Sequence, residues 1–253
     1  MLIRPDGDGV IAIGQASHAW LSGQLARAWG GVAFDPPHPW EEVCLAAEQH
    51  DVGMAEWDLT PLLEAEGRPQ SFMEMALADH LRLWSAAPRK LLTQSHYAAL
   101  LVSMHGRALY ELRDLTSMSP ADRAAVLDYL ARERAFQQRL IARLRADDDE
   151  VTRNQRLLFA WDGLSLALCL RWGNYVAARV PASETASADV RLEPRGSDAD
   201  ESFMVDPWPF RDREVTVRCE GRRLSLGHDS AMDMRAQLDG AEIVTLAFRL
   251  TPK

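Results

Sequence analysis

Cysteine is scarce in this sequence, with only Cys44, Cys169 and Cys219, and the three are far apart. They form no CxxC, so no disulfide framework is expected and a reducing, cytoplasmic setting is. Long apolar runs are also missing. No stretch is long enough to cross a bilayer, and MLIRPDGDGVIAIG lacks the apolar core of a secretory signal. The expectation is a soluble chain with no membrane partner. Positive charge is in deficit: 28 Lys and Arg stand against 37 Asp and Glu, for a net charge of −9. A nucleic-acid duplex is therefore not the expected partner. There is no Gly-rich phosphate loop ending in Lys-Ser/Thr, no Gly-x-Ser-x-Gly turn, and no GxGxxG after a strand. Ser103 lies near His105 but lacks the positioned acid that a triad needs.

Apolar residues make up 47% of the 253 positions, enough for a sizeable core. The opening Leu2-Ile3-Arg4, Pro5-Asp6-Gly7-Asp8-Gly9 and Val10-Ile11-Ala12-Ile13 reads as a hairpin over 1–14 with a Gly/Asp turn. From Gln15 the periodicity is helical, which predicts helices near 15–30, 40–52, 71–87, 89–113, 120–147 and 151–178. Ser71 with Glu74 forms a capping-box pattern, and Ser119-Pro120 reads as a cap followed by a first-turn proline. The charges of 120–147, including Arg132, Glu133 and Arg134, mark it as an outer helix with a solvated face. Beyond residue 181 the chain turns polar and loop-like, then alternates in period two over Glu214–Cys219 and Glu242–Leu250. The expected fold is mainly α: an all-helical domain over 1–180, apart from its hairpin. A linker and small antiparallel β appendage over 181–253 follow, and the hairpin can join that sheet.

Five polar residues fall on helix faces that should be buried. His18 shares a face with Leu21 and Leu25, and His50 with Val43, Ala46 and Ala47. His80 aligns with Met73, Leu77 and Trp84, His105 with Leu101 and Val102, and Asp162 with Leu158 and Cys169. Asp51 adds a second carboxylate beside His50. A lone core histidine is usually just hydrogen-bonded. Two carboxylates with four imidazoles, and almost no Lys or Arg beside them, are what a divalent cation neutralises.

The order His18, His50-Asp51, His80, His105, Asp162 resembles the HD superfamily of metal-dependent phosphohydrolases across roughly residues 15–178. The runs QASHAWLSGQLA, HDVGMAEWD, WDGLSLALC and DPWPF resemble a bacterial family of this kind. The resemblance implies an HD-type helical bundle. It also implies that His18, His50, Asp51 and Asp162 surround one metal, with Asp51 bridging to a second held by His80 and His105. Imidazole and carboxylate ligation suits one or two divalent ions of Fe, Mn, Ni, Co or Zn. The implied activity is hydrolysis of a small phosphate ester or nucleotide by metal-activated water, with Asp51 as the catalytic residue. A diiron oxygenase and a non-catalytic metal- or partner-binding module are the alternatives.

Many HD enzymes carry a lysine three residues after the aspartate; here that position is Met54. Arg107, Arg89 or Lys90 can take over its charge, or can simply be solvated. Trp20, Trp57 and Asp58 flank the proposed ligands and are the expected substrate contacts, with ordinary packing as the other reading. His96 should point away from the site, nine residues from His105 on a continuous helix. His38 should be exposed between two prolines, and His228-Asp229 should serve a turn.

Overall fold

The computed structural model describes residues 1–64, 67–196, 201–227 and 230–253. The N-terminal hairpin forms where its pattern places it: strand β1 (Leu2–Asp6) pairs antiparallel with β2 (Gly9–Ile13). Gly7 turns the corner at φ 57°, a left-handed conformation that costs a glycine little because it has no Cβ. Helices α1 (Gln15–Ala28), α2 (Trp40–Gln49), α3 (Ala55–Leu59), α4 (Leu77–Leu91), α5 (His96–Glu111), α6 (Pro120–Leu144) and α7 (Asp148–Leu170) follow. Ser95, Ser119 and Asp147 cap α5, α6 and α7 by accepting from backbone N–H groups in the first turn. The Ser71–Glu74 capping box is present, but it closes a separate 3-10 turn (Phe72–Glu74) ahead of α4.

The mainly α, all-helical expectation with a small β appendage is overturned. Strands β3 (Tyr175–Pro181), β4 (Ser187–Pro194), β5 (Ser202–Asp206), β6 (Val215–Ser225) and β7 (Glu242–Pro252) join the hairpin, with helix α8 (Ala231–Gly240) before the last strand. The result is one seven-stranded sheet in the order β1-β2-β6-β7-β5-β4-β3. Its neighbours are antiparallel except β5 beside β7, which run parallel, so the sheet is mixed and the fold is α/β. Two features hid the extra strands. The final predicted helix ends early, at Leu170, where Arg171 adopts φ 52° and Gly173 φ 72°. The polar stretch after 181 contains β4, which buries only Val190 and Leu192 and is held by pairing with β3 and β5.

One buried apolar cluster runs from the sheet (Leu2, Ile13, Val205, Val217, Phe248) into the helices (Leu21, Val43, Leu101, Trp161, Leu168). Helix α1 packs on β6, and α7 packs on β3 and β1. Cys169 on α7 and Cys219 on β6 meet with their sulfurs 3.6 Å apart, and all three cysteines are free. Helices α1, α2, α5 and α7 also pack on one another. That arrangement turns four separate helix faces toward a common interior.

Helix α6 is an outer helix, but one of its charges is not solvated. Glu133 is 1% exposed and forms an ion pair with Arg89 at 2.5 Å. It also accepts from Ser103 at 2.6 Å, while Gln137 donates to Ser103 at 2.9 Å. Removing the carboxylate strands the Ser103 hydroxyl and the Arg89 cation. Glu133→Ala should therefore lower stability by ~2–4 kcal/mol, below a fully buried pair because Arg89 can rehydrate. Urea unfolding with an unchanged m-value would check it.

Candidate metal centre

All six residues of the predicted set are buried: His18, His50, Asp51, His80, His105 and Asp162. His18 sits one turn into α1, His50 at the C-terminal end of α2, His105 in the second half of α5 and Asp162 in the second half of α7. Asp51 follows His50 where the helix gives way to a 3-10 turn (Val52–Met54). That break in geometry lets adjacent side chains serve one point. Gly53 permits it, because a Cβ there would strike the Leu83 carbonyl of α4.

The distances separate a core from a periphery. His18 Nε2 and His50 Nε2 lie 3.9 and 3.4 Å from Asp162 Oδ1, and 2.7 and 3.7 Å from Asp51 Oδ2. Ligands ~2.1 Å from a shared ion stand about 3–4 Å apart, so three of these spacings suit one cation, while His18 Nε2 and Asp51 Oδ2 stand at hydrogen-bond distance. The ligand atoms of His18, His50 and Asp162 all lie within 4.8 Å of one another, and this buried group can hold a metal ion. His50 Nε2 has no hydrogen-bond partner among the described residues, which leaves a buried nitrogen facing the group.

The surrounding hydrogen bonds set which nitrogens face inward. His50 Nδ1 donates to the Ala47 carbonyl at 2.8 Å. Ser165 spends its one proton on the Asp162 carbonyl at 2.8 Å, so it accepts from His18 Nδ1 at 2.8 Å and from Ser22 at 2.9 Å. Both imidazoles therefore present Nε2 to the centre, the orientation such outer partners give to metal-binding histidines. The sequence reading missed Ser22 and Ser165, although Ser165 stands three residues from Asp162 on the same helix.

Electrostatics point the same way. Burial is the largest influence on each of these groups and opposes charge. At Asp162 it is outweighed by His105 and His50, which hold the carboxyl well below the usual carboxylate range. At Asp51 His50 and His18 outweigh it and lower the carboxyl. At His50 the two carboxylates win and lift the imidazole to about 9. The site calls for positive charge.

The remaining predicted residues fall elsewhere. His105 Nε2 is 3.4 Å from the other oxygen, Asp162 Oδ2. Asp162, rather than Asp51, is thus the carboxylate whose two oxygens face different histidines. His80 stands apart from the group. Its Nε2 accepts from Trp84 Nε1 at 3.1 Å and its Nδ1 meets the Tyr110 hydroxyl. Burial, aided by the charge of Arg113, lowers its pKa to about 4, so it is neutral with its lone pair already used. The Trp84 ring touches both His80 and His105.

Trp57 and Met54 are buried in a second apolar cluster with Leu81, Trp84 and Tyr110. Asp58 is 2.9 Å from the Met1 amine and accepts from the Gln15 backbone at the start of α1. Trp20 lies under the Arg218 guanidinium of β6, and Arg107 lies 3.8 Å from Glu111. His96 opens α5 outside the group, and His38 is exposed, 2.8 Å from Glu150. His228-Asp229 lies outside the described residues.

Two neighbours of the centre were not singled out by the sequence reading. Phe159 packs against the His105 ring at 5.5 Å. The Tyr175 hydroxyl sits so close over Gly163 that a Cβ there would collide with it. Burial and then the Asp162 charge raise the Tyr175 phenol pKa.

Fold and site together define an α/β protein with a buried histidine–carboxylate group able to hold a metal ion. The chain belongs to the family described as "Protein of unknown function (DUF3891)", whose model matches residues 1–226 and so covers every residue of the group. No curated protein and no solved structure matches the chain. Among the described residues, no helix is long and apolar enough to cross a membrane.

Dialysed protein given manganese or zinc should hold one ion per chain by elemental analysis. His50→Ala and Asp162→Ala should weaken binding by at least about 100-fold, since even outer-shell losses cost ~10–100-fold. His80→Ala should keep the full stoichiometry, and equal loss in that variant would make His80 a ligand after all. Metal at about 100 times its Kd should add ~2.7 kcal/mol to unfolding stability.

Proposed function

We propose that this chain is a metal-dependent hydrolase of a small-molecule phosphate ester, built around one centre formed by His18, His50, Asp51 and Asp162. The observation that carries the reading is the convergence of two buried carboxylates and two Nε2 atoms with no lysine or arginine in ion-pair contact with Asp51 or Asp162 among the described residues. A divalent ion of Mn, Fe, Ni, Co or Zn, when bound, supplies Lewis acidity and makes water a competent nucleophile near neutral pH. The order of these residues along the chain is the order in which the HD-type phosphohydrolases present theirs.

The protein's own part is to preorganise. Asp51 and Asp162 bring negative charge that a bound cation would neutralise, and Ser165 and Ala47 fix the two imidazoles. Burial keeps bulk water from screening the charges. His105 holds the outer oxygen of Asp162 and so steadies the carboxylate that links the centre to the helix interface. Met54 packs in the second apolar cluster, so the lysine of many HD enzymes has no counterpart there. The oxygenase alternative needs His80 as a ligand to a second ion. Both ring nitrogens of His80 are engaged by Tyr110 and Trp84, which favours the single-centre hydrolase. Three free cysteines accord with a cytoplasmic location.

Manganese-loaded protein should hydrolyse an aryl phosphate such as p-nitrophenyl phosphate. Asp51→Asn should lower kcat at least about 100-fold, in step with lost metal, with far-ultraviolet circular dichroism unchanged. Metal at full occupancy with no turnover of any phosphate ester tried would defeat the hydrolase reading and leave a metal-binding protein.

A further inference from the structure

A cavity of about 520 Å³ opens between α5, α7 and β3, a volume typical of small-molecule sites. Its wall includes Ala108, Gln155, Arg156, Phe159, Tyr175 and Arg179. Two of the helices that build the centre also build this wall. Ala108 is one turn beyond His105 on α5, and Phe159 is one turn before Asp162 on α7, so each is ~5 Å along its helix axis from a residue of the centre. The Phe159 ring that lines the cavity is the one packed on His105. Tyr175 lines it from β3 and rests its hydroxyl on Gly163, the residue after Asp162.

That hydroxyl has no hydrogen-bond partner among the described residues, although Tyr175 is half-buried. Gly163 keeps the space for it, since any larger residue would displace the phenol. Strand β3 bulges between Ala177 and Val180, with Arg179 held at φ 51° over the cavity by its N–H to Asp189. The buried part of the wall is apolar and aromatic, and the exposed part carries Arg156, Arg179 and the carboxylate Glu111.

We propose that this cavity receives the leaving group of the substrate, that the leaving group is a planar ring, and that the Tyr175 hydroxyl donates a hydrogen bond to the departing oxygen. The inference rests on the phosphate-ester reading above. Hydrolysis joins a water oxygen to phosphorus and breaks the bond from phosphorus to the ester oxygen. That oxygen departs as an alcohol with a proton supplied by the water. A ring between Phe159 and Tyr175 buries its faces against aromatic and alanine side chains, while its oxygen points back toward Asp162. A small alkyl leaving group would leave the cavity unfilled.

The test is calorimetric titration of the manganese-loaded protein with phenylphosphonate and methylphosphonate, which cannot be hydrolysed. Wild type should bind the phenyl compound at least tenfold more tightly. Ala108→Leu, which narrows the cavity from a half-buried position, should cut that preference about tenfold. Leu112→Trp, placed on an exposed wall residue, should do the same if the first variant unfolds. Tyr175→Phe should leave both affinities unchanged, because a phosphonate has no ester oxygen, and should lower kcat for phenyl phosphate about fivefold with metal content unchanged. Phosphonates that bind but ignore the cavity variants, or a Tyr175→Phe protein that turns over phenyl phosphate at the wild-type rate, would overturn the pocket assignment alone. Failure of either phosphonate to bind metal-loaded wild type would overturn the phosphate reading with it.

Discussion

Two carboxylates sunk among apolar helices, Asp51 and Asp162, constrain everything around them. Each is buried, and neither meets a lysine or arginine side chain in an ion pair among the described residues. An ionised carboxylate in such surroundings is tolerated only when positive charge and hydrogen bonds answer it. Three imidazoles face them: His18 on α1, His50 at the end of α2 beside Asp51, and His105 on α5. The arrangement ties α1, α2, α5 and α7 together through one polar point inside a core that is otherwise apolar.

The second layer shows how the point is kept sharp. Ser165 takes its position from α7 itself, donating to the Asp162 carbonyl one turn back and accepting from His18. Ser22 reaches it from α1, so a short chain of hydroxyls fixes the ring of His18 without any charge. His80 illustrates the contrary case. It is buried on a helix face like the others, but Trp84, four residues along α4, and Tyr110 consume both its nitrogens. Burial of a histidine marks it as engaged, and only the identity of its partners tells ligand from structural residue.

The sheet contributes more than support. Its outer strand β3 carries Tyr175 to Gly163, so the same edge that closes the fold over α7 also walls the cavity beside the centre. The sequence pattern showed the hairpin and the period-two stretches of β6 and β7, where apolar and polar residues alternate cleanly. It did not show β3, which follows a long apolar helix with few breaks, nor β4, whose buried side chains are two among eight. Strands of that kind are defined by what pairs with them: β3 meets β4 across a bulge, and β4 is held between β3 and β5. Cys169 and Cys219 make the same point: fifty residues separate them in the chain, and the packing of α7 on the sheet brings their sulfurs to 3.6 Å.

What the sequence determined by itself was local and periodic. Helical spacing set His18, His50, His105 and Asp162 on buried faces, and the Ser119 cap marked where α6 begins; Ser95 and Asp147 start α5 and α7 at places the periodicity did not show. Charge poverty around Asp51 and Asp162 was also readable, because it concerns which residue types are present. The tertiary structure decided which of the buried histidines meet, that Asp162 faces two sides at once, and that a tyrosine from a strand joins them. Those outcomes depend on helix crossing and strand order, which are set by the sum of many weak contacts between distant segments. No periodicity within a single segment contains that information.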